Sequence, residues 1–171
     1  MIKLLIKGSE PTGLSFTSFG GKPVQNSGDN FQWPECACCK LHMQFLGKIS
    51  VDSELHQLFM CQNDPGMCDD WDANGGGNAV VITKPAELEY VAVPSEGETL
   101  RGTEYSAEIV EVDASDYAEA IDKWAEKNSR SSREVLGQIS GEPLWIQGDE
   151  TPICDNCNKP MEFVAQLEQG P

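Results

Sequence analysis

The sequence is short of positive charge: 12 Lys and Arg stand against 28 Asp and Glu, for a net charge of −16 at pH 7. A field of that sign repels phosphates and anionic lipid headgroups, so direct nucleic-acid binding is disfavoured and a basic protein is the partner it would attract. High negative charge also serves solubility alone. Long apolar runs are missing as well. No window approaches the roughly 20 apolar residues that span a bilayer. The apolar run within residues 1–8 is too short for the core of a secretion signal. The expectation is a cytoplasmic protein that makes no membrane contact. Histidine is scarce too, and His42 and His56 leave little material for acid–base chemistry. None of the patterns G-x-S-x-G, H-E-x-x-H or the Walker phosphate loop occurs, so an enzyme is not the first expectation.

What is present points to a loop-rich globular chain. With 171 residues, 39% of them apolar, and with 16 Gly and 10 Pro, the chain suits one domain or two half-sized lobes with many turns. Seven cysteines are the most informative feature. In a reducing compartment close cysteine spacing points to metal more often than to disulfides, and an odd number cannot pair completely within one chain.

The chain resembles itself. Gly21-x-Pro23 is followed by Pro34-x-Cys36-x-x-Cys39-x-x-x-Met43-x-Phe45, and Gly141-x-Pro143 by Pro152-x-Cys154-x-x-Cys157-x-x-x-Met161-x-Phe163. The loop between Gly and the first Cys differs by two residues, a change that a surface loop tolerates. Duplication is the natural explanation. We read residues 1–171 as a single duplicated domain, with a first lobe of about 1–113 and a second of about 114–171. After each Cys pair the apolar residues alternate: Met43, Phe45, Gly47, Ile49 and Val51 in one copy, Met161, Phe163, Ala165 and Leu167 in the other. Period two means a strand. Residues 58–61, 79–83, 90–93 and 107–112 are further strand candidates. One helix is expected from the spacing of Tyr117, Ala120, Ile121, Trp124 and Ala125, capped by Ser115 with Asp116 and Glu119 at its positive end. A shorter one is signalled by Ser131-x-x-Glu134, with Gly137 as its stop. The predicted fold is mainly β, of α+β type: internally duplicated antiparallel lobes with one or two short helices.

A C-x-x-C turn supplies two thiolates to a tetrahedral metal. Cys61 and Cys68 follow the first pair after 21 residues, so Cys36, Cys39, Cys61 and Cys68 form a candidate four-cysteine zinc site. The alternatives are a metal shared between Cys36, Cys39, Cys154 and Cys157, or thiols that are merely buried or redox-active. The repeat aligns Cys38 with Asn156 and leaves it a spare thiol. His42 and His56 could substitute as ligands, though a structural or surface role suits them better. Cys154 and Cys157 have no later Cys or His and form a half-site. Asp70-x-Asp72-x-Asn74-Gly75 places oxygens as in an EF-hand loop, but position twelve is Val81, which favours a solvated turn over a weak cation site. Gly75-Gly76-Gly77 lacks the Lys-Ser/Thr of a phosphate loop.

Taken together, Gly20-Gly21-x-Pro23, Trp33-Pro34-x-Cys36-x-x-Cys39, Met43-x-Phe45-Leu46, the segment 61–72, Gly141-x-Pro143-x-Trp145-Ile146-Gln147 and the second Cys pair with Met161-x-Phe163-Val164-Ala165-Gln166-Leu167 resemble the bacterial YwqG-like family, a domain of unknown function. The G-x-P-x-W and C-x-x-C-x-x-x-M-x-F elements are also similar to those of the eukaryotic programmed cell death 2 family, whose members act as chaperones for a small-subunit ribosomal protein. The resemblance implies a mostly β, duplicated fold with an interaction role. It also implies a further hairpin after the second Met-x-Phe strand, which this chain, ending at Gln169-Gly170-Pro171, lacks. The leading expectation is a zinc-stabilised acidic module that binds a basic protein, as a chaperone or as an immunity-type partner. Trp71 or Trp145 would supply affinity if exposed, although core packing is the commoner fate of tryptophan. The competing expectation is a metal-dependent hydrolase built on Asp64, Asp69, Asp70 and Asp72.

Overall fold

A computed structural model describes residues 1–9 and 13–168. The elements in chain order are β1 (Ile2–Lys7), β2 (Ser18–Phe19), β3 (Val24–Asn26), β4 (Gln44–Val51), β5 (Glu54–Met60), β6 (Asn78–Thr83), β7 (Leu88–Tyr90), β8 (Tyr105–Val112), α1 (Tyr117–Asn128), β9 (Val135–Ile139) and β10 (Ala165–Leu167). The strand pairs between these elements are antiparallel. The protein is mainly β with one α-helix among the described residues, as the alternation of apolar residues predicts.

Two compact units make up the chain: Ser9–Ser106, and Met1–Gly8 together with Ala107–Pro171. The expected division near residue 113 therefore differs from the compact units. The physical reason is β1, which pairs with β8 along one edge and β9 along the other and so belongs with the C-terminal half.

In the Ser9–Ser106 unit the strand order is β2-β4-β5-β6, with β3 and β7 forming a separate pair. Phe45 and Ile49 of β4 are buried, as the alternation requires, with Met43 just ahead of the strand. Lys48 on the opposite face is buried as well. Its ammonium donates to Ser18 Oγ at 2.6 Å and pairs with Glu104 Oε1 at 2.9 Å, while Ser18 Oγ donates to the same carboxylate oxygen at 2.7 Å. A buried cation is tolerable only with such partners.

In the other unit the order is β10-β9-β1-β8. Leu4 and Ile6 of β1 pack with Val135 against Tyr117, Ala120 and Trp124 of α1, which is the apolar stripe read from the helical spacing. The cap differs from expectation. Asp116 is the N-cap and accepts from the Glu119 amide, while the Glu119 carboxylate reaches back to the Ser115 amide and hydroxyl, both at 2.7 Å. Asp116 and Ser115 can exchange these roles in a sequence reading because either side chain can accept. The second expected helix is a single 3-10 turn, Ser132–Glu134, capped by Ser131. Gly137 does not stop a helix; it lies inside β9, at φ 150°, where any Cβ would collide with the Gln166 carbonyl of β10. The strand expected from Met161 onward is confined to β10, and residues 169–171, where the implied hairpin would begin, lie outside the described residues.

The two segments that match in sequence also share backbone bonds. The Gly20 amide donates to Leu46 O and Ser140 to Val164 O, at 2.8 and 2.9 Å. Phe19 pairs with Gly47 in one segment, and Ile139 with Ala165 in the other.

Candidate metal centre

The turn at Cys36 is built by local backbone bonds. The Cys36 amide donates to Leu41 O and the Lys40 amide returns to Cys36 O, with Lys40 at φ 62°. The Cys38 and Cys39 amides are directed at the Cys36 sulfur. Met43 N donates to Pro34 O and closes the base of the turn just before β4. The two distant ligands arrive through strand pairing. Register Gln44↔Met60 brings the end of β5 level with the turn, and Cys61 is the next residue. Cys68 comes from the loop between β5 and β6.

The result is a cluster in which the sulfurs of Cys36, Cys39, Cys61 and Cys68 all lie within 4.8 Å of one another. Cys36, Cys61 and Cys68 are buried, and Cys39 is half-buried. A tetrahedral zinc with sulfurs at about 2.3 Å requires roughly 3.8 Å between sulfurs; Cys39 Sγ and Cys61 Sγ stand 3.7 Å apart. The donor set therefore fits a thiophilic metal ion.

Electrostatics favour the same occupant. Burial raises the Cys36 thiol, but the Cys39 and Cys38 amides and hydrogen bonds from Cys61 and Cys39 outweigh it and leave it at about 7. The Leu41 amide lowers Cys39, yet burial together with Cys61 and Cys36 holds it above the ordinary thiol range. Burial, then the neighbouring thiols beginning with Cys61 and Cys36, drives Cys68 far upward. Four thiols this close cannot all ionise without a cation among them, and a divalent ion removes that penalty. A metal ion held by four thiolates would have no coordination position left for water, so such a centre would organise structure rather than activate a nucleophile.

Three supporting features were not apparent as such in the sequence. Asn63 Nδ2 donates to His42 O at 2.9 Å and approaches Cys61 Sγ at 3.6 Å and Cys39 Sγ at 3.9 Å, while its Oδ1 accepts from the Glu98 amide at 2.8 Å. One amide side chain thus orients two ligands and pins a loop. The glycine run is a backbone clamp: Ala37 N donates to Gly76 O, Cys61 N to Gly77 O, and a Cβ on Gly76 would sit 2.6 Å from that of Ala37. Three consecutive glycines signal close approach, and here the surface approached is the metal turn itself. Phe31, Trp33, Phe45 and Phe59 pack around the cluster, and Trp33 Nε1 donates to Met43 O.

The other expected candidates are placed as follows. Cys38 is exposed and stands outside the cluster, as the repeat indicated. His42 faces Glu35 at 3.8 Å and His56 faces Glu54 at 4.0 Å, both apart from the four sulfurs. In the 70–74 loop the Asp72 carboxylate accepts from the Asn74 amide at 2.7 Å, and Asn78 Nδ2 donates to the main-chain oxygens of Asp70 and Asp72. Among the described residues Asp64, Asp69, Asp70 and Asp72 do not gather into a second group of ligands. The loop is a hydrogen-bonded turn. Trp71 is 83% exposed and Trp145 38%, against the packing that tryptophan usually finds.

Cys154 and Cys157 lie on a turn with the same bonds as the first: Cys154 N to Lys159 O, Asn158 N to Cys154 O, and Met161 N to Pro152 O, with Asn158 at φ 55°. The amides of Cys157 and Asn156, helped by the Cys157 thiol, lower the Cys154 thiol below its ordinary range. No third ligand joins this pair among the described residues. Likewise, no described helix is long and apolar enough to cross a membrane. Comparison with protein-family models, curated proteins and solved structures finds no match.

Proposed function

We propose that this chain is a zinc-stabilised module that binds a basic protein, with the loop between β5 and β6 as its contact surface. One observation carries the reading: the loop that delivers Cys68 to the sulfur cluster also holds Met67 and Trp71 outward, 70% and 83% exposed, beside exposed Asp64, Asp69 and Asp72. A large aromatic and a methionine set among carboxylates suit an interface in which apolar contact supplies affinity and charge supplies attraction. The metal would set the loop's shape, because ordering a segment this rich in Gly, Asp and Asn costs conformational entropy that its few apolar contacts do not offset. The net charge of −16 extends the same attraction over the whole surface. The matched backbone bonds of the two Cys turns support an origin by duplication, in keeping with the YwqG-like resemblance.

The test has two arms. Zinc measured on protein purified without added metal is expected at the same level in the wild type and in Cys38→Ser, and lower by about one ion per chain in Cys36→Ser and Cys68→Ser. Equal zinc in all four would overturn the ligand set. A basic protein captured at low salt should be released at high salt and no longer captured by Trp71→Ala/Met67→Ala. Capture indifferent to both changes would overturn the surface.

A further inference from the structure

Cys154 and Cys157 share the backbone geometry of Cys36 and Cys39 but not their surroundings. Corresponding amides, two and three residues on, point at the first sulfur of each pair, and the same three backbone bonds close each turn. In the first segment the matching apolar positions are covered: Val24 is fully buried and Met43 2% exposed. Their counterparts Leu144 and Met161 are 43% and 44% exposed, Ile146 is 94% exposed, and an open groove of about 530 Å³ runs along Leu144, Trp145, Ile146 and Phe163. Cys157 is exposed and Cys154 half-buried.

We infer that Cys154 and Cys157 are half of a second thiophilic metal site, completed by the same pair from a second copy of this chain. The ligand arithmetic selects that occupant. A closed zinc site takes four thiolates, this turn offers two, and a twofold axis through the ion supplies two identical ones. On binding, four thiols release four protons and the four sulfurs coordinate one Zn(II). The exposed Met161, whose amide closes the base of the Cys154–Cys157 turn on Pro152 O, then loses water on association. Two chains of charge −16 repel each other, so the dimer requires the metal and is favoured by salt. A basic partner responds to salt in the opposite direction, which separates this inference from the function proposed above.

The experiment loads the full chain with zinc, removes the free ion, and measures metal content and solution mass together. The wild type is expected as a dimer carrying about 1.5 zinc ions per chain, one in the four-cysteine centre and half of a shared one. Cys154→Ser/Cys157→Ser should be a monomer with about one zinc. Because these two side chains stand outside the buried clusters, that variant keeps its fold, which a far-UV circular dichroism spectrum and thermal melt equal to wild type verify. A Cys36→Ser arm separates the two centres: it should lose the whole ion and keep the half-ion and the dimer. A monomeric wild type with one zinc overturns the inference. So does a monomer holding two, or a dimer that survives in the double variant.

Discussion

Asn63→Ala probes the metal centre while keeping all four sulfur ligands. The wild-type side chain donates at 2.9 Å to His42 O, accepts at 2.8 Å from the Glu98 amide, and reaches two sulfurs at 3.6 and 3.9 Å. The two ordinary hydrogen bonds contribute about 1 kcal/mol each to the unit that holds them, with or without metal. The contacts to sulfur act chiefly when the sulfurs are thiolates, and loss of such an orienting group typically lowers metal affinity about 10–100-fold, or roughly 1.4–2.8 kcal/mol. The assay is competition for zinc against a chromophoric chelator at neutral pH, with urea unfolding of the same samples. Alanine should weaken zinc binding within that range. Asn63→Asp should weaken it further, because a carboxylate cannot donate and adds a negative charge beside four thiolates. Zinc affinity unchanged in both variants, or aspartate binding more tightly than alanine, would refute the reasoning.

Other expected outcomes concern the unit that contains the helix. Gly137→Ala should destabilise it by about 1–3 kcal/mol, because the new methyl meets the Gln166 carbonyl across β9 and β10 and φ is 150°; a thermal melt equal to wild type would contradict the clash. Trp124→Ala should cost about 3–5 kcal/mol, since Trp124 is 4% exposed within the Leu4, Ile6, Tyr117 and Val135 cluster and also loses Arg130, whose guanidinium lies 5.2 Å from its ring centre. Denaturant unfolding followed by far-UV circular dichroism checks it. Glu119 is held at about 2, below its ordinary 4.5, first by the Ser115 amide, then by its hydroxyl and Lys123. Its stabilisation is therefore complete above about 4.5 and disappears as pH falls through about 2. The melting-temperature gap between wild type and Glu119→Gln should close across that interval; a gap constant down to pH 2 would remove the carboxylate from the account.

Different parts of the molecule were legible to different degrees. The alternation from Met43 to Val51 and the spacing of Tyr117, Ala120 and Trp124 report a buried face directly, and both elements formed where those patterns stand. Gly137 stands in a strand where a helix stop is expected, because a helix stop and a strand glycine under close approach leave the same letter. The compact units differ from the expected lobes because nothing in the string 1–8 announces that it will pair with residues 107–112 and 135–139.

The sequence alone determined the two turns. A C-x-x-C with Pro ahead and Met-x-Phe behind closes by bonds between residues no more than nine apart, so its geometry is local and repeats wherever the letters repeat. The sequence also determined the sign of the surface field, which is a sum over side chains. Only the tertiary structure decided between the ligand sets that the spacing leaves open. Strand β5 lies against β4 in a register that carries Cys61 to the first turn, and the Gly76–Gly77 backbone holds the loop bearing Cys68 there, whereas β10 meets no such strand among the described residues. Spacing along the chain offers Cys36, Cys39, Cys61 and Cys68 as one candidate set beside a set shared with Cys154 and Cys157; four sulfurs within 4.8 Å are a property of strand pairing, a long-range contact that only the folded chain supplies.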